Sequence, residues 1–210
     1  QQIVVSGVEP GEQVGSEAEL MERYGVSRAI FREAARMLEH HQVAAMKRGP
    51  GGGLYVVTPD PGAVTEIVAL YLARQGNDVT GLGDLRVRLE MALIDLAMEQ
   101  LDEDGHRLLR EALDCEQDVP DEDYAHASHD IHAVIAGLTG NRALELVALV
   151  LIRLTRLHQV HNLSASARSR ISAEVRRTHA DIVTAMVDGD SELARHRMRR
   201  HLEALTEFYA

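Results

Sequence analysis

Arg28, Arg32 and Arg36 stand four residues apart, so on a helix their guanidiniums line one face. Such a face can take phosphate oxygens or the edges of bases. Lys47 and Arg48 open the run Lys47-Arg48-Gly49-Pro50-Gly51-Gly52-Gly53, a glycine-rich tip that can bring two cations and bare backbone close to a phosphate or a minor groove. A surface helix with a solvated basic edge is the plainer reading of the same arginines. A second group is made of histidines. His179 and His201 lie eleven residues either side of Asp190, in the turn Asp188-Gly189-Asp190. In an antiparallel helix pair, residues equidistant from the turn share a height. If both rings face inward they can meet, and imidazoles suit Zn²⁺, Ni²⁺ or similar ions. On spacing alone, satisfied core histidines are the simpler reading. From the residues alone, Arg86 reads as an exposed partner for Glu90 one turn along, worth about 0.3–0.5 kcal/mol.

The elements that must position the arginines lie between Ser16 and Glu39. Ser16 followed by Glu19 is a capping box that starts a helix, with Leu20, Met21 and Tyr24 on its apolar side. Gly25 suits the left-handed position that ends it, and Ser27 caps the next helix. There Ile30, Phe31, Ala34, Ala35 and Leu38 form an apolar stripe. Two short helices with a glycine turn and an arginine-faced second helix make the helix-turn-helix pattern. Val43–Met46 and Leu54–Val57 read as the strands of a hairpin around the glycine tip.

Thr58 to Gly62 reads as a linker, and everything beyond it is helical in pattern. Helices are expected at Ala63–Arg74, Asp84–Gln100, Glu103–Glu116, about Asp121–Leu138, Arg142–His161, Ala167–Val187 and Ser191–Phe208. The helix after Gly140-Asn141 is nearly all apolar, so it should be central or lie at a dimer seam. His158 and His161 fall near its negative end, a sufficient reason for them to be there. His40, His41, His106 and His126 read as surface residues.

Hydrophobic residues make up 45% of the 210 residues, but aromatics only 3%, with no Trp, so the core must be aliphatic. That diet favours helices. No apolar run is long enough for a membrane span, and nothing at the start resembles a signal peptide. Cys115 is the single cysteine, which excludes an intrachain disulfide and a Cys-based zinc site. A cytoplasmic protein is expected. The net charge of −11 argues against non-specific nucleic-acid binding by the whole molecule. Residues 1–60 also carry slightly more acid than base, so any DNA docking must rest on the local patch.

The text PGEQVGSEAELMERYGVSRAIFREAARMLE, followed by KRGPGGGLYVV, resembles the GntR family of bacterial winged-helix regulators. The resemblance implies that Arg28, Arg32 and Arg36 contact operator DNA, with Lys47, Arg48 and the wing glycines Gly51 and Gly52 beside them. Members usually begin with a helix packed across the helix-turn-helix, of which Gln1–Val8 would be the tail. Gly15 replaces a usual Pro. Gln42 replaces a usual Gly, which predicts a less tidy end to the second helix.

LRVRLEMALIDLA, HDIHAVIAGLTGN and THADIVTAMVDGDSELARHRMRRHL resemble the FCD effector domain of the FadR-type branch. The fold implied is mainly α: a winged helix-turn-helix over 1–58, then an antiparallel helical bundle over 63–210 for effector binding and dimerisation. FCD domains typically hold a divalent metal, with zinc or nickel suiting the donors, on three histidines and an aspartate. His132, His179 and His201 match the histidines, and Arg86 matches a residue facing the effector pocket. Ser128 stands where the family has the aspartate, with Asp130 and His129 nearby. The site is then three histidines plus water, or takes His129 as substitute, or is empty.

Three functions follow. The first is a homodimeric transcription regulator that binds operator DNA and senses a small carboxylic acid. The second is a metal-binding sensor or dimerisation module that has lost DNA binding. The third is a metal-dependent enzyme, against which stand the missing H-E-x-x-H pattern and general base. No enzyme is the expectation.

Overall fold

The computed structural model describes residues 9–76, 79–120, 131–159 and 165–209. They form two units, which part near Ala63.

The first unit begins with β1 (Gln13–Gly15), α1 (Glu17–Tyr24) and α2 (Arg28–His40), then β2 (Ala44–Lys47) and β3 (Gly53–Val56). The Ser16 hydroxyl accepts from Glu19 N at 3.3 Å, and Glu19 Oε2 accepts from Ser16 N at 2.8 Å, so both halves of the capping box are formed. The Ser16 backbone N–H on Glu19 Oε2, with the Ser16 side chain beside it, holds the Glu19 carboxyl below the usual carboxylate range. Gly25, at φ +61°, ends α1 with Gly25 N donating to Glu22 O and Val26 N to Met21 O, the paired bonds of a Schellman motif. Ser27 caps α2. The end of α2 departs from the expected untidiness: Gln42 N donates to Glu39 O and Val43 N to Leu38 O, the same motif. Gln42 takes the left-handed backbone at φ 54°, where a side chain costs roughly 1–2 kcal/mol, and its Oε1 accepts from Asp60 N at 2.9 Å.

The sheet has the order β1-β3-β2, with all neighbours antiparallel. The β2–β3 hairpin was legible as a wing; β1, three residues long, was not. Gly53 is required by close approach, because a Cβ there would sit 2.4 Å from Gly15 O on β1. Leu20, Phe31, Ala35, Ala44 and Leu54 make the core. Ile30 and Ala34, two members of the expected apolar stripe, are exposed, Ile30 by 59%. They line an apolar hollow of about 520 Å³ with Val14, Tyr24, Val26 and Leu38.

The division falls in the first turn of α3 (Pro61–Gln75), and the second unit continues with α4 (Val79–Gln100), α5 (Glu103–Gln117), α6 (Ile131–Leu138), α7 (Arg142–Gln159), α8 (Ala165–Val187) and α9 (Ser191–Tyr209). Every expected helix has a counterpart. The first part of the expected Asp121–Leu138 helix lies outside the described residues, as does His161. α4 begins five residues earlier than expected. It is the central helix, packing on α6, α7 and α9, while α5 packs on α6 and α8. Leu93, Ile94 and Ala97 on α4 meet Ile131 and Ile135 on α6, and Ile182, Met186 and Met198 from the last hairpin. On α7, Ala148, Leu151, Ile152 and Leu154 are buried, whereas Leu146 and Val147 are exposed. None of the described helices is long and apolar enough to cross a membrane.

The α8–α9 turn closes on Gly189 at φ +78°, with Asp190 Oδ1 accepting from Leu193 N at 2.9 Å to start α9. This fixes the hairpin whose arms carry His179 and His201.

Ser16→Ala removes one side of the capping box and is expected to destabilise the first unit by about 1 kcal/mol. Urea unfolding would read this as a lower midpoint at unchanged slope. An unchanged midpoint would mean that the box contributes nothing.

Candidate functional site

In the first unit, α1, α2 and the wing enclose a concave face of about 730 Å³ lined by Arg28, Arg32, Arg36, Lys47, Arg48 and Glu17, among others. The five expected cations are therefore on one face. Arg28 and Arg32 remain 68% and 62% exposed and Arg36 76%. Glu17 was missed by the sequence reading. Its Oε1 accepts from Arg28 Nε at 3.0 Å and Arg32 Nε at 3.3 Å. Slight burial would raise the Glu17 pKa, but hydrogen bonds and charge from the two arginines outweigh it and hold the carboxyl below its usual range. No spacing signal could have linked Glu17 to residues eleven and fifteen positions on. Lys47 Nζ sits 4.1 Å from the Tyr55 ring centroid, a cation–π contact. The Tyr55 hydroxyl donates to Gly51 O at 2.7 Å. Gly51 is left-handed at φ +73° with open space around its Cα, whereas a Cβ on Gly52 would lie 2.6 Å from Lys47 O. The hairpin's own geometry thus accounts for Gly52.

In the second unit the structure brings His132 of α6, His179 of α8 and His201 of α9 together, at 2%, 3% and 6% exposure. Ring centroids are 4.8–5.3 Å apart. One ligand atom from each ring lies within 4.8 Å of the others. The equal heights of His179 and His201 bring Nε2 to Nε2 at 3.2 Å.

Two buried carboxylates stand behind the rings. Glu90 Oε2 faces His132 Nδ1, and Glu116 faces His179 Nδ1 at 2.9 and 3.1 Å. A carboxylate only accepts, so each Nδ1 carries the proton and, in the neutral ring, Nε2 keeps its lone pair. This carboxylate–imidazole arrangement is the one that orients metal-binding histidines. Two nitrogens held tetrahedrally at about 2.0–2.1 Å from one ion lie about 3.3 Å apart, close to the 3.2 Å between Nε2 of His179 and Nε2 of His201. The donor set therefore fits a divalent ion. Ser128, His129 and Asp130 lie outside the described residues.

Arg86 is 4% exposed, so the reading of it as a surface partner of Glu90 is corrected. It donates through Nε to Glu90 Oε1 at 2.6 Å and through Nη1 to Thr155 Oγ1 at 3.0 Å. Burial opposes ionisation of Glu90, but the charges of His132 and Arg86 outweigh it and keep the pKa below its usual value. Glu116 was missed. Its signal was present: it continues the stripe Leu109, Ala112 on α5, where an acid has no place unless partnered.

Burial first, then the charges of His179, His132 and Arg86, push His201 well below the ordinary histidine pKa. An unfolded chain binds a proton on this residue below about pH 6.5 while the folded chain refuses it, so stability falls as pH drops through that value. Chelator-treated protein should accordingly melt at lower temperature at about pH 5.5 than at about pH 7, and His201→Gln should flatten that slope. An equal slope in both proteins would rule out His201 as the cause.

The family model described as "FCD domain" matches residues 82–204, and the model "Bacterial regulatory proteins, gntR family" matches residues 1–56. Over 126 residues the chain is 27% identical to the "Uncharacterized HTH-type transcriptional regulator YcbG" of Bacillus subtilis, covering 60% of this chain and 52% of that protein. Over 140 residues it is 29% identical to the "Uxu operon regulator" of Haemophilus influenzae, covering 62% and 48%. The chain thus spans about half the length of these curated relatives. Among solved structures, "Streptococcus agalactiae GntR" superposes with a TM-score of 0.69 at 19% identity, over 98% of this chain and 94% of that one, a likeness of fold.

Proposed function

The chain belongs to the GntR family of bacterial regulatory proteins and carries an FCD domain, and from that premise we propose that it is a ligand-responsive, DNA-binding transcription regulator. The observation that carries the reading is the concave face on which Arg28, Arg32, Arg36, Lys47 and Arg48 converge. In this reading α2 enters the major groove of operator DNA and the wing, with Gly51 and Gly52 at its tip, lies along the backbone. The protein acts as a homodimer on two half-sites, because a two-fold operator is read by a two-fold protein. Leu146 and Val147, exposed on α7, are available to a seam.

Sensing is assigned to the histidine centre. His132, His179 and His201 hold a divalent metal such as zinc or nickel, with Glu90 and Glu116 orienting the rings. The metal supplies a Lewis-acidic point for an oxygen ligand. Among the described residues of this unit, the buried charged side chains besides the imidazoles are Arg86, Glu90 and Glu116. Their net charge of −1 accommodates a dication, and the loaded site, at +1, welcomes a single anion. A small carboxylic acid fits that balance. Arg86 spends two of a guanidinium's five N–H donors on Glu90 and Thr155, leaving three to offer it. The resemblance puts Ser128 where a carboxylate ligand is usual, so the acid's own oxygen would be available to a metal held by the three histidines, and metal and acid would tighten each other. Ligand binding then acts on DNA by changing the relative placement of the two winged helices of the dimer.

Both glutamates beside the rings are engaged by imidazole Nδ1, which counts against the alternative of a metal-dependent enzyme with a free general base. The alternative of a sensor without DNA binding is decided by one experiment. Wild-type protein should shift DNA from upstream of its own gene at low salt, and Arg32→Ala should weaken that binding by roughly 1–3 kcal/mol with folding intact. Failure of the wild type to bind any such fragment would leave the sensor reading in place. Sedimentation at micromolar concentration should give a dimer.

Titration calorimetry with zinc should give one site per chain, lost in His179→Ala, and tighter when a candidate acid is present. Occupancy should fall in acid, because ligation needs neutral imidazole. No metal in purified protein and none taken up on titration would make the three histidines packing residues.

A further inference from the structure

Glu17 is an acid inside the face that the preceding reading gives to DNA. It is the first residue of α1, and one of its oxygens takes the Nε–H of both Arg28 and Arg32, side chains one turn apart on α2. The capping box of α1 is made by Ser16 and Glu19, so the cap does not require Glu17. Glu17 itself is only 23% exposed, while the arginines it holds stay mostly open to the concave face. Arg36, the third member of the row, has a looser partner among the described residues: Glu33, 3.7 Å away and itself 69% exposed.

A guanidinium held by its Nε edge has lost most of its freedom to rotate about its long stem, and its two terminal nitrogens point away from the anchor. That remaining pair is the fork that meets O6 and N7 of guanine. Ordering it before binding removes an entropic cost of the complex. The same carboxylate sits where DNA phosphates approach, and its charge opposes contacts that offer no base partner.

We propose that Glu17 is a positioning residue for base recognition: it aims Arg28 and Arg32 at bases and lowers the affinity of this face for DNA of arbitrary sequence. The proposal rests on the reading that the arginine face contacts DNA. Specificity is a difference between two affinities, and Glu17 acts on both sides of it.

The probes are a duplex selected by the wild-type protein from a randomised pool and a mixed-sequence duplex of the same length. Binding is measured over a range of salt, with melting temperature and far-UV dichroism recorded for each variant. Glu17→Gln is expected to bind the mixed-sequence duplex about 3–10-fold more tightly, with a steeper salt dependence as the freed arginines meet phosphate. The ratio of selected to mixed affinity should fall about tenfold or more. Glu17→Asp, which keeps the charge, should recover part of that ratio. A purely structural role for Glu17 would lower the melting temperature and leave the ratio alone. A ratio within about twofold of wild type in folded Glu17→Gln, or no recovery in Glu17→Asp, overturns the proposal. Arg28→Ala and Arg32→Ala separate the two layers. If they bind the selected duplex as the wild type does, the arginine face is not the interface and the proposal falls with it. If they lose affinity while Glu17→Gln keeps its ratio, only the role of Glu17 is wrong.

Discussion

The Glu90 carboxylate ties the helical unit together. It is 2% exposed and joins Arg86, one turn away on α4, to His132 on α6, while Arg86 continues to Thr155 on α7. Placing such a charge in the interior costs several kcal/mol unless every lone pair is met. That condition fixes how α4, α6 and α7 sit against one another. Removing one partner of a buried pair typically costs about 3–5 kcal/mol. Hydrophobic contact alone, among aliphatic side chains of similar size, would tolerate sliding of one helix on another. The polar chain does not, because an ångström of slip breaks its hydrogen bonds. Glu116 does the same between α5 and α8 through His179.

The ion pairs of the winged-helix unit have a different character. Arg28, Arg32 and Arg36 pair with acids on an exposed face, where such pairs contribute about 0–1 kcal/mol. The unit's stability comes from Leu20, Phe31, Ala35, Ala44 and Leu54 and from its helix caps. Arg28 and Arg32, though oriented by Glu17, can therefore exchange its carboxylate for another partner without unfolding anything. The histidine centre is the reverse: His132 and His179 are held by buried carboxylates that cannot lose their partners without leaving a charge unpaired.

The glycine wing illustrates how one residue type serves two ends. Gly51 needs the left-handed backbone of the turn, and Gly53 makes room for β1. Their presence was legible, but the reason for Gly53 became visible only once β1 lay beside it. Gln42 is the opposite case. Sequence reasoning expected a loosened helix end; the backbone bonds of the Schellman motif form regardless, because two hydrogen bonds and the Asp60 contact offset a left-handed side chain.

By itself the sequence determined what depends on residues near one another along the chain. The capping box at Ser16, the stop at Gly25, the cap at Ser27 and the turn at Gly189 are local hydrogen-bond chemistry, and helical periodicity is local too. Even the meeting of His179 and His201 is local in this sense, since a short turn sets the register of the two helices it joins. Tertiary structure decided everything that depends on register between helices distant in sequence. His132 reaches the pair only because α4 and α5 seat α6. Glu116 reaches His179 across 63 residues, and Arg86 is buried against Thr155 across 69. No periodicity within one helix says how far it is shifted along another. That shift is set by which packing leaves no buried charge without its partner.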